Sequence, residues 1–184
     1  MFIFKNNMKI FYGAAIQGLA NREERALSNW ELIKTIRACG EEVVFDHARA
    51  KSPEETAEFL EKLIGPLPPR GILRMKHVRK KMIEAVEGDI AGAVFEVSVP
   101  SLGTGIEIAH AYLRPRMGLE GIPILFLYQK GYWPGNLSTM VRGIPLEEMS
   151  NIEIGEYDNL EEAKEFLKRF LGSLKKIKSV QIEI

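Results

Sequence analysis

AVFEVSVPSLGTGIEIAH, residues 93–110, runs an apolar strand into a glycine-bearing turn and from there directly into a helix. Ala93, Val94, Phe95, Val97 and Val99 form a nearly continuous apolar run, as a strand covered on both faces of a sheet requires. Pro100 has no N–H to give a central strand's ladder, so the strand is expected to end there. Gly103 and Gly105 let the backbone come close to a ligand, and the free N–H groups opening the helix suit a phosphate or sugar oxygen. Glu107 is expected in the first turn of that helix, at the carboxyl edge of the sheet. A carboxylate there suits a nucleophile, and it equally suits ordinary compensation of the helix dipole.

Upstream, KIFYGAAI (9–16) reads as a short buried first strand, followed by a loop to Arg22. Leu27, Trp30, Ile33 and Ile36 place one apolar stripe on a helix that Gly40 closes. Residues 42–46, EVVFD, give a second strand. Ser52 and Glu55 have capping-box spacing, Pro53 suits the first helical position, and Ala57, Leu60 and Ile64 form the apolar face of the next helix. Residues 65–71 are an irregular connector, and residues 72–86 return to helix. Downstream, residues 122–128 are the fourth strand, 137–142 a short helix and 152–157 the fifth strand. Asp158 is placed to cap a closing helix whose face is Leu160, Phe166, Leu167 and Phe170. The alternating residues from 172 to 184 read as an added edge strand or a tail.

The chain has 184 residues, 46% of them hydrophobic, which suits one substantial core and a single domain. Lys plus Arg and Asp plus Glu each number 25, so no net basic field favours nucleic acid or an anionic membrane. Cys39 is the single cysteine and reads as a small buried hydrophobe; no Cys/His spacing suggests a metal. MFIFKNNMK is too short an apolar stretch for a signal peptide, and nothing approaches the ~18 apolar residues of a membrane span, so a cytoplasmic protein is expected.

Strands alternating with helices predict an α/β fold, a doubly wound parallel sheet of five strands in the order 2-1-3-4-5. The switch point then lies between strands 1 and 3. Ligands bind at such crevices, and the turn carrying Glu107 is one of the two loops lining it.

FEVSVPSLGTGIEIAHAY, with KIFYGAAIQG, LFLYQK and NLSTMVRG in that order, resembles the nucleoside 2-deoxyribosyltransferase superfamily. Within it the likeness is to the 2'-deoxynucleoside 5'-monophosphate N-hydrolases and their ribonucleotide-cleaving relatives. It spans residues 9–171, with 52–88 the poorest match. The resemblance implies a flavodoxin-like fold, a homodimer with composite active sites, and no metal or organic cofactor. It makes Glu107 the nucleophile that attacks the anomeric carbon, forming a glycosyl-enzyme intermediate resolved by water. It makes Ser101 a ligand of the 5'-phosphate and Ser138 a second one, reaching across from the neighbouring subunit. Gly103 and Gly105 hold the phosphate and sugar, and Gly13, Ile16, Gln17 and Met140 fall in the matched substrate-binding segments.

Three departures from the family pattern bear on the substrate. Phe11 stands where the deoxynucleotide enzymes have Tyr, and Tyr12 faces the other side of the strand, so the likeness leans toward ribose. Ala15 and Gln17 replace a phosphate-facing Ser and an Arg. The family's Asp before the third strand falls at Lys81, Ile83 or Glu84, of which Glu84 alone could do acid–base work. The expected activity is therefore hydrolysis of the base–sugar bond of a nucleoside 5'-monophosphate. The alternatives are deoxyribosyl transfer between bases and non-catalytic nucleotide binding or sensing.

Overall fold

The apolar runs pair into one all-parallel five-stranded sheet in the order 2-1-3-4-5, a flavodoxin-like α/β fold. A computed structural model describes residues 7–16, 21–132, 136–144 and 151–182. The strands are β1 (Lys9–Ala14), β2 (Glu42–Val43), β3 (Gly92–Glu96), β4 (Ile124–Gln129) and β5 (Ile152–Tyr157). The helices are α1 (Arg22–Ala38), α2 (Pro53–Ile64), α3 (Ile72–Glu87), α4 (Leu102–Tyr112), α5 (Thr139–Gly143) and α6 (Leu160–Ile182), with 3-10 turns at His47–Arg49 and Arg114–Met117. No helix among the described residues is long and apolar enough to cross a membrane.

Strand alternation sends successive residues to different layers. Ile10, Tyr12, Val94, Leu125 and Leu127 pack with Leu32, Ile33 and Ile36 of α1 and Leu167, Phe170 and Leu171 of α6. Cys39, partly buried, packs against this core. Phe11, Phe95, Ile124 and Phe126 face the other way, against Leu60 of α2, Met82 and Val86 of α3 and Ile108 and Ala111 of α4. Central strands buried on both faces explain the near-continuous apolar runs that made them readable.

Several boundaries differ from expectation for identifiable reasons. β2 stops at Val43 because Asp46 accepts from Arg37 Nη2 and Arg49 Nε, both at 2.8 Å, and so starts a 3-10 turn rather than extending the sheet. β3 stops at Glu96, whose carboxylate turns back to accept from Ser98. The buried stripe of α1 is Arg25, Ala26, Asn29, Leu32, Ile33 and Ile36, leaving Leu27 51% exposed. Ile33 and Ile36 are buried as expected and Trp30 is partly buried against the same core, while two polar residues, Arg25 and Asn29, take places on the stripe that the apolar pattern alone did not show. Gly40 does follow α1 in the left-handed region, at φ 86°. Ser52 caps α2 as expected, accepting from Glu55 N at 3.1 Å, while the Glu55 carboxylate returns to Lys51 N at 2.8 Å.

At the C-terminal end, Asn159 rather than Asp158 caps α6, its side chain accepting from Glu162 N at 3.1 Å; Asp158 instead pairs with Lys130 at 2.7 Å. The segment expected as an edge strand or tail continues α6 to Ile182. Leu174 is buried under β3, and Lys175 is tied to Glu41 at 2.9 Å and donates to the Cys39 carbonyl at 2.7 Å, so tertiary contacts fix the helical form.

Candidate active site

The turn from β3 into α4 lies beside the end of β1, at the switch point. Ser101 is the N-cap of α4: its Oγ accepts from Thr104 N at 3.4 Å, and its carbonyl accepts from Gly105 N at 2.9 Å. Since α4 begins at Leu102, Glu107 is the sixth helical residue and lies in the second turn, not the first; the first turn holds no acidic residue. Dipole compensation fades beyond the first turn, so that ordinary explanation of Glu107 weakens.

The Glu107 carboxylate is directed back at β1. A Cβ built on Gly13 would lie 3.0 Å from Oε2 of Glu107 and 2.6 Å from the Phe95 ring, so only glycine leaves room for the carboxylate here. Glu107 makes no hydrogen bond or ion pair with any described residue, and burial pushes its carboxyl up to about 8. At neutral pH it is largely protonated in the free protein. An unpaired, desolvated carboxyl in a cleft has the environment of a reacting group rather than of a scaffold.

Glu107 and Gly103 line a cavity of about 860 Å³ between α2, α3 and α4, with Leu60, Val78, Met82 and Ile83 as its apolar wall. Four charged residues that sequence reasoning did not single out share it: Glu54, Arg70, Arg74 and Arg79. The Glu54 carboxyl is held below its ordinary value by its own backbone N–H and by Ser52, which makes it an ionised base rather than a proton donor. A second cavity, of about 350 Å³, lies on the other side of α4 and brings together Ser98, Ser101, Gly105, Ser138 and Met140. Only the first turn of α4 separates the two: a Cβ on Gly103 would lie 3.8 Å from the Ser101 Oγ. Ser138 precedes α5 but makes no capping bond with its side chain.

The other expected residues lie elsewhere. Glu84 is 46% exposed on α3, pairs with Lys81 at 2.9 Å and Lys80 at 3.6 Å, and does not line the Glu107 cavity. The Lys81 hydrogen bond lowers its pKa, contrary to what a general acid needs. Residues 78–79 and 82–83 turn toward the cavity, whereas Glu84 is one step further round the helix. Phe11 is fully buried, with ring centroids 5.7 Å from Phe95 and 6.4 Å from Phe45, and belongs to the core beneath the site. It therefore does not read a sugar directly. Ile16 packs on the α1 side of the sheet, and Gln17 lies outside the described residues.

A second buried carboxylate at this sheet edge was missed. Glu96 is ion-paired with Arg25, accepts from the Tyr157 hydroxyl at 3.0 Å and accepts from Ser98 Oγ. Arg25 Nη1 donates to Gln129 Oε1 at 3.0 Å, and Gln129 N donates to Ser98 Oγ at 2.7 Å. Burial opposes the charge of Arg25, and Glu96 outweighs it and keeps the guanidinium protonated. The signal was present in VFEV: an acid inside an apolar strand needs a buried partner. Among the described residues no group of three or more His, Cys, Asp or Glu side chains is placed to hold a metal ion. No protein-family model matches the chain, and a search of curated proteins finds no match either.

Proposed function

We propose that the protein is a cytoplasmic N-glycosidase that hydrolyses the base–sugar bond of a nucleoside 5'-monophosphate, with Glu107 as nucleophile. The observation that carries this reading is the Glu107 carboxyl itself: unpaired, desolvated, set against Gly13 and open to a cavity of nucleotide size between α2, α3 and α4. The resemblance of residues 93–110 to the nucleoside 2-deoxyribosyltransferase superfamily supplies the reaction class.

In the first step an ionised Glu107 oxygen bonds to the anomeric carbon as the carbon–nitrogen bond breaks. The electron pair leaves on the base, which takes up a proton. Water then attacks the same carbon, releases its proton and the pentose phosphate, and returns Glu107 to the carboxylate. An apolar wall favours this chemistry, because charge separated inside a water-poor cleft interacts more strongly with the charge on Glu107. Ser101 and Ser138, on the far side of the first turn of α4, remain assigned to the substrate's phosphate in this reading. A homodimer with composite sites is part of it, supported by Leu102, Met75, Ile106 and Met140, which are exposed apolar side chains rimming the two cavities.

One observation favours non-catalytic nucleotide binding instead: Glu84 faces solvent, so it offers no proton to a departing base. Release of free base from a panel of ribo- and deoxyribonucleoside monophosphates, read by chromatography, separates the two. Base release that depends on Glu107 supports the hydrolase; ligand binding without release supports the binding protein. Transfer to an added second base in place of water would assign the transferase.

A further inference from the structure

Ser98 borders the cavity that brings Ser101 and Ser138 together, yet its own side chain is engaged inside the protein. Its hydroxyl donates to Glu96 Oε1 and accepts from Gln129 N at 2.7 Å. An ionised carboxylate can only accept, and the other Glu96 oxygen is taken by Arg25. The Ser98 proton therefore has one place to go and the hydroxyl one orientation. At 1% exposure it has almost no surface to offer a ligand, so any part it plays at the cavity is played through its neighbours.

The neighbour in question is Ser101. Val97 N donates to Leu127 O at 2.9 Å, one residue past the end of β3, and the bond from Gln129 N to the Ser98 hydroxyl carries the attachment to β4 one step further. Val99 and Pro100 make no hydrogen bond with a described residue, and Ser101 then caps α4. Proline has a fixed φ and holds the residue before it extended, so Val99 and Pro100 are a stiff link. Ser101 is three residues beyond Ser98, a span of about 10 Å at most. A shift at Ser98 is passed to Ser101 rather than absorbed. Ser138, nine residues beyond Gln129, is too far along the chain for the same rigid transfer. The anchor itself is firm: Glu96 also accepts from the Tyr157 hydroxyl at 3.0 Å, and Arg25 Nη1 donates to Gln129 Oε1 at 3.0 Å, so α1, β3, β4 and β5 all meet at the group that holds Ser98.

We propose that Ser98 is a positioning residue for the phosphate site: held by Glu96 and Gln129, it fixes where the Ser101 hydroxyl stands and thereby sets that site's affinity for the phosphate of a nucleotide. The proposal rests on the reading of Ser101 as a phosphate ligand.

Titration calorimetry with ribose 5-phosphate and with ribose tests it on the parent protein, on Ser98→Ala, Ser98→Thr and Ser101→Ala, and on the Ser98→Ala/Ser101→Ala pair. The parent should bind the phosphorylated sugar at least tenfold more tightly than ribose. Ser98→Ala should lose roughly tenfold in ribose 5-phosphate affinity with ribose binding unchanged, and Ser98→Thr, which keeps the hydroxyl, should recover most of it. Added to Ser101→Ala, Ser98→Ala should cost little more, because a residue that acts through Ser101 then has nothing to position. Should Ser98→Ala not fold, Ser98→Cys, of similar shape and a weaker donor, takes its place with the same expectation. A Ser101-dependent preference that the Ser98 variants leave intact overturns the proposal and keeps the phosphate site. A loss equal for both sugars, or full additivity of the two alanine variants, also overturns it. A parent that binds both sugars alike, or a preference indifferent to Ser101→Ala, removes the phosphate reading and the proposal with it. The expected pattern in a protein that releases no base from any nucleotide keeps the proposal and removes the glycosidase reading.

Discussion

Two acidic side chains lie near the carboxyl edge of the same sheet, one on each face, and they are treated in opposite ways. Glu96, facing α1, is enclosed by Arg25, Ser98 and Tyr157, so its charge is matched and its oxygens have partners. Glu107, facing β1 from α4, has an apolar cavity and no partner among the described residues. Buried charge is tolerated when it is paired, and an unpaired acid gives up its charge instead by holding a proton. Sequence presents both simply as Glu in apolar surroundings; the neighbours brought by the fold make one a scaffold and leave the other free to react.

The largest effect that would break this comparison is on turnover. Glu107→Gln should lower base release by at least roughly a thousandfold with unfolding cooperative and intact, because it removes a covalent route rather than one hydrogen bond. Glu96→Gln should do the opposite, costing stability first. It leaves a buried guanidinium without its counter-charge, which typically costs about 3–5 kcal/mol, whereas Arg25→Met with Glu96→Leu should lie much nearer the parent. Urea unfolding of Arg25→Met, Glu96→Leu and the pair gives the coupling. Unchanged stability in Glu96→Gln would place the network among ordinary surface pairs.

Gly13→Ala should have a smaller effect than either. Its Cβ would meet the Phe95 ring at 2.6 Å and the Glu107 carboxylate at 3.0 Å, so overpacking of about 1–3 kcal/mol is expected together with a fall in kcat. Normal stability and normal turnover in that variant would mean that Glu107 does not rest against β1.

The smallest effect is linked to pH. The Glu107 carboxyl is raised from 4.5 to about 8 in the folded chain, so between those values the folded state holds a proton that the unfolded state has lost. Stability from this group is therefore fully present below about pH 4.5 and is lost as pH rises through about 8. Glu107→Gln does not titrate, so it should match the parent at low pH and exceed it above pH 8. The gain should be roughly 2 kcal/mol after allowing for water reaching the cleft. The same ionisation should give the parent's kcat/KM an acid limb rising toward about pH 8, since attack needs the carboxylate. A flat difference in melting temperature across this range would contradict the unpaired state of Glu107.

How much was legible in the sequence follows from which interactions are local. Strand positions and sheet order were readable because β1, β3 and β4 are apolar on both faces and the connections alternate with helices. The polar part of the buried face of α1 was not, since Arg25 and Asn29 are buried by partners 71 and 19 residues away in sequence, Glu96 and Ala48. Glu107 could be picked out from its turn and helix, but its lack of a partner and its contact with Gly13 depend on how α4 packs on β1. Glu84 and Phe11 were misplaced for a related reason: matching a position along the chain says nothing of which side of a helix or strand faces the cavity. Arg70 in the connector and Arg79 on α3 line the same cavity as Glu107, and neither position marks a cavity until the packing of α2, α3 and α4 is seen.

The central claim, that Glu107 is a nucleophile, is tested most directly by acid-quenching the protein during turnover of a nucleoside monophosphate and weighing its proteolytic peptides. The account predicts that the peptide containing Glu107 is heavier by one pentose phosphate residue, bound as an ester to that side chain, and that the adduct is absent from Glu107→Gln. Turnover with no such adduct, and with the released sugar inverted at its anomeric carbon, would contradict it.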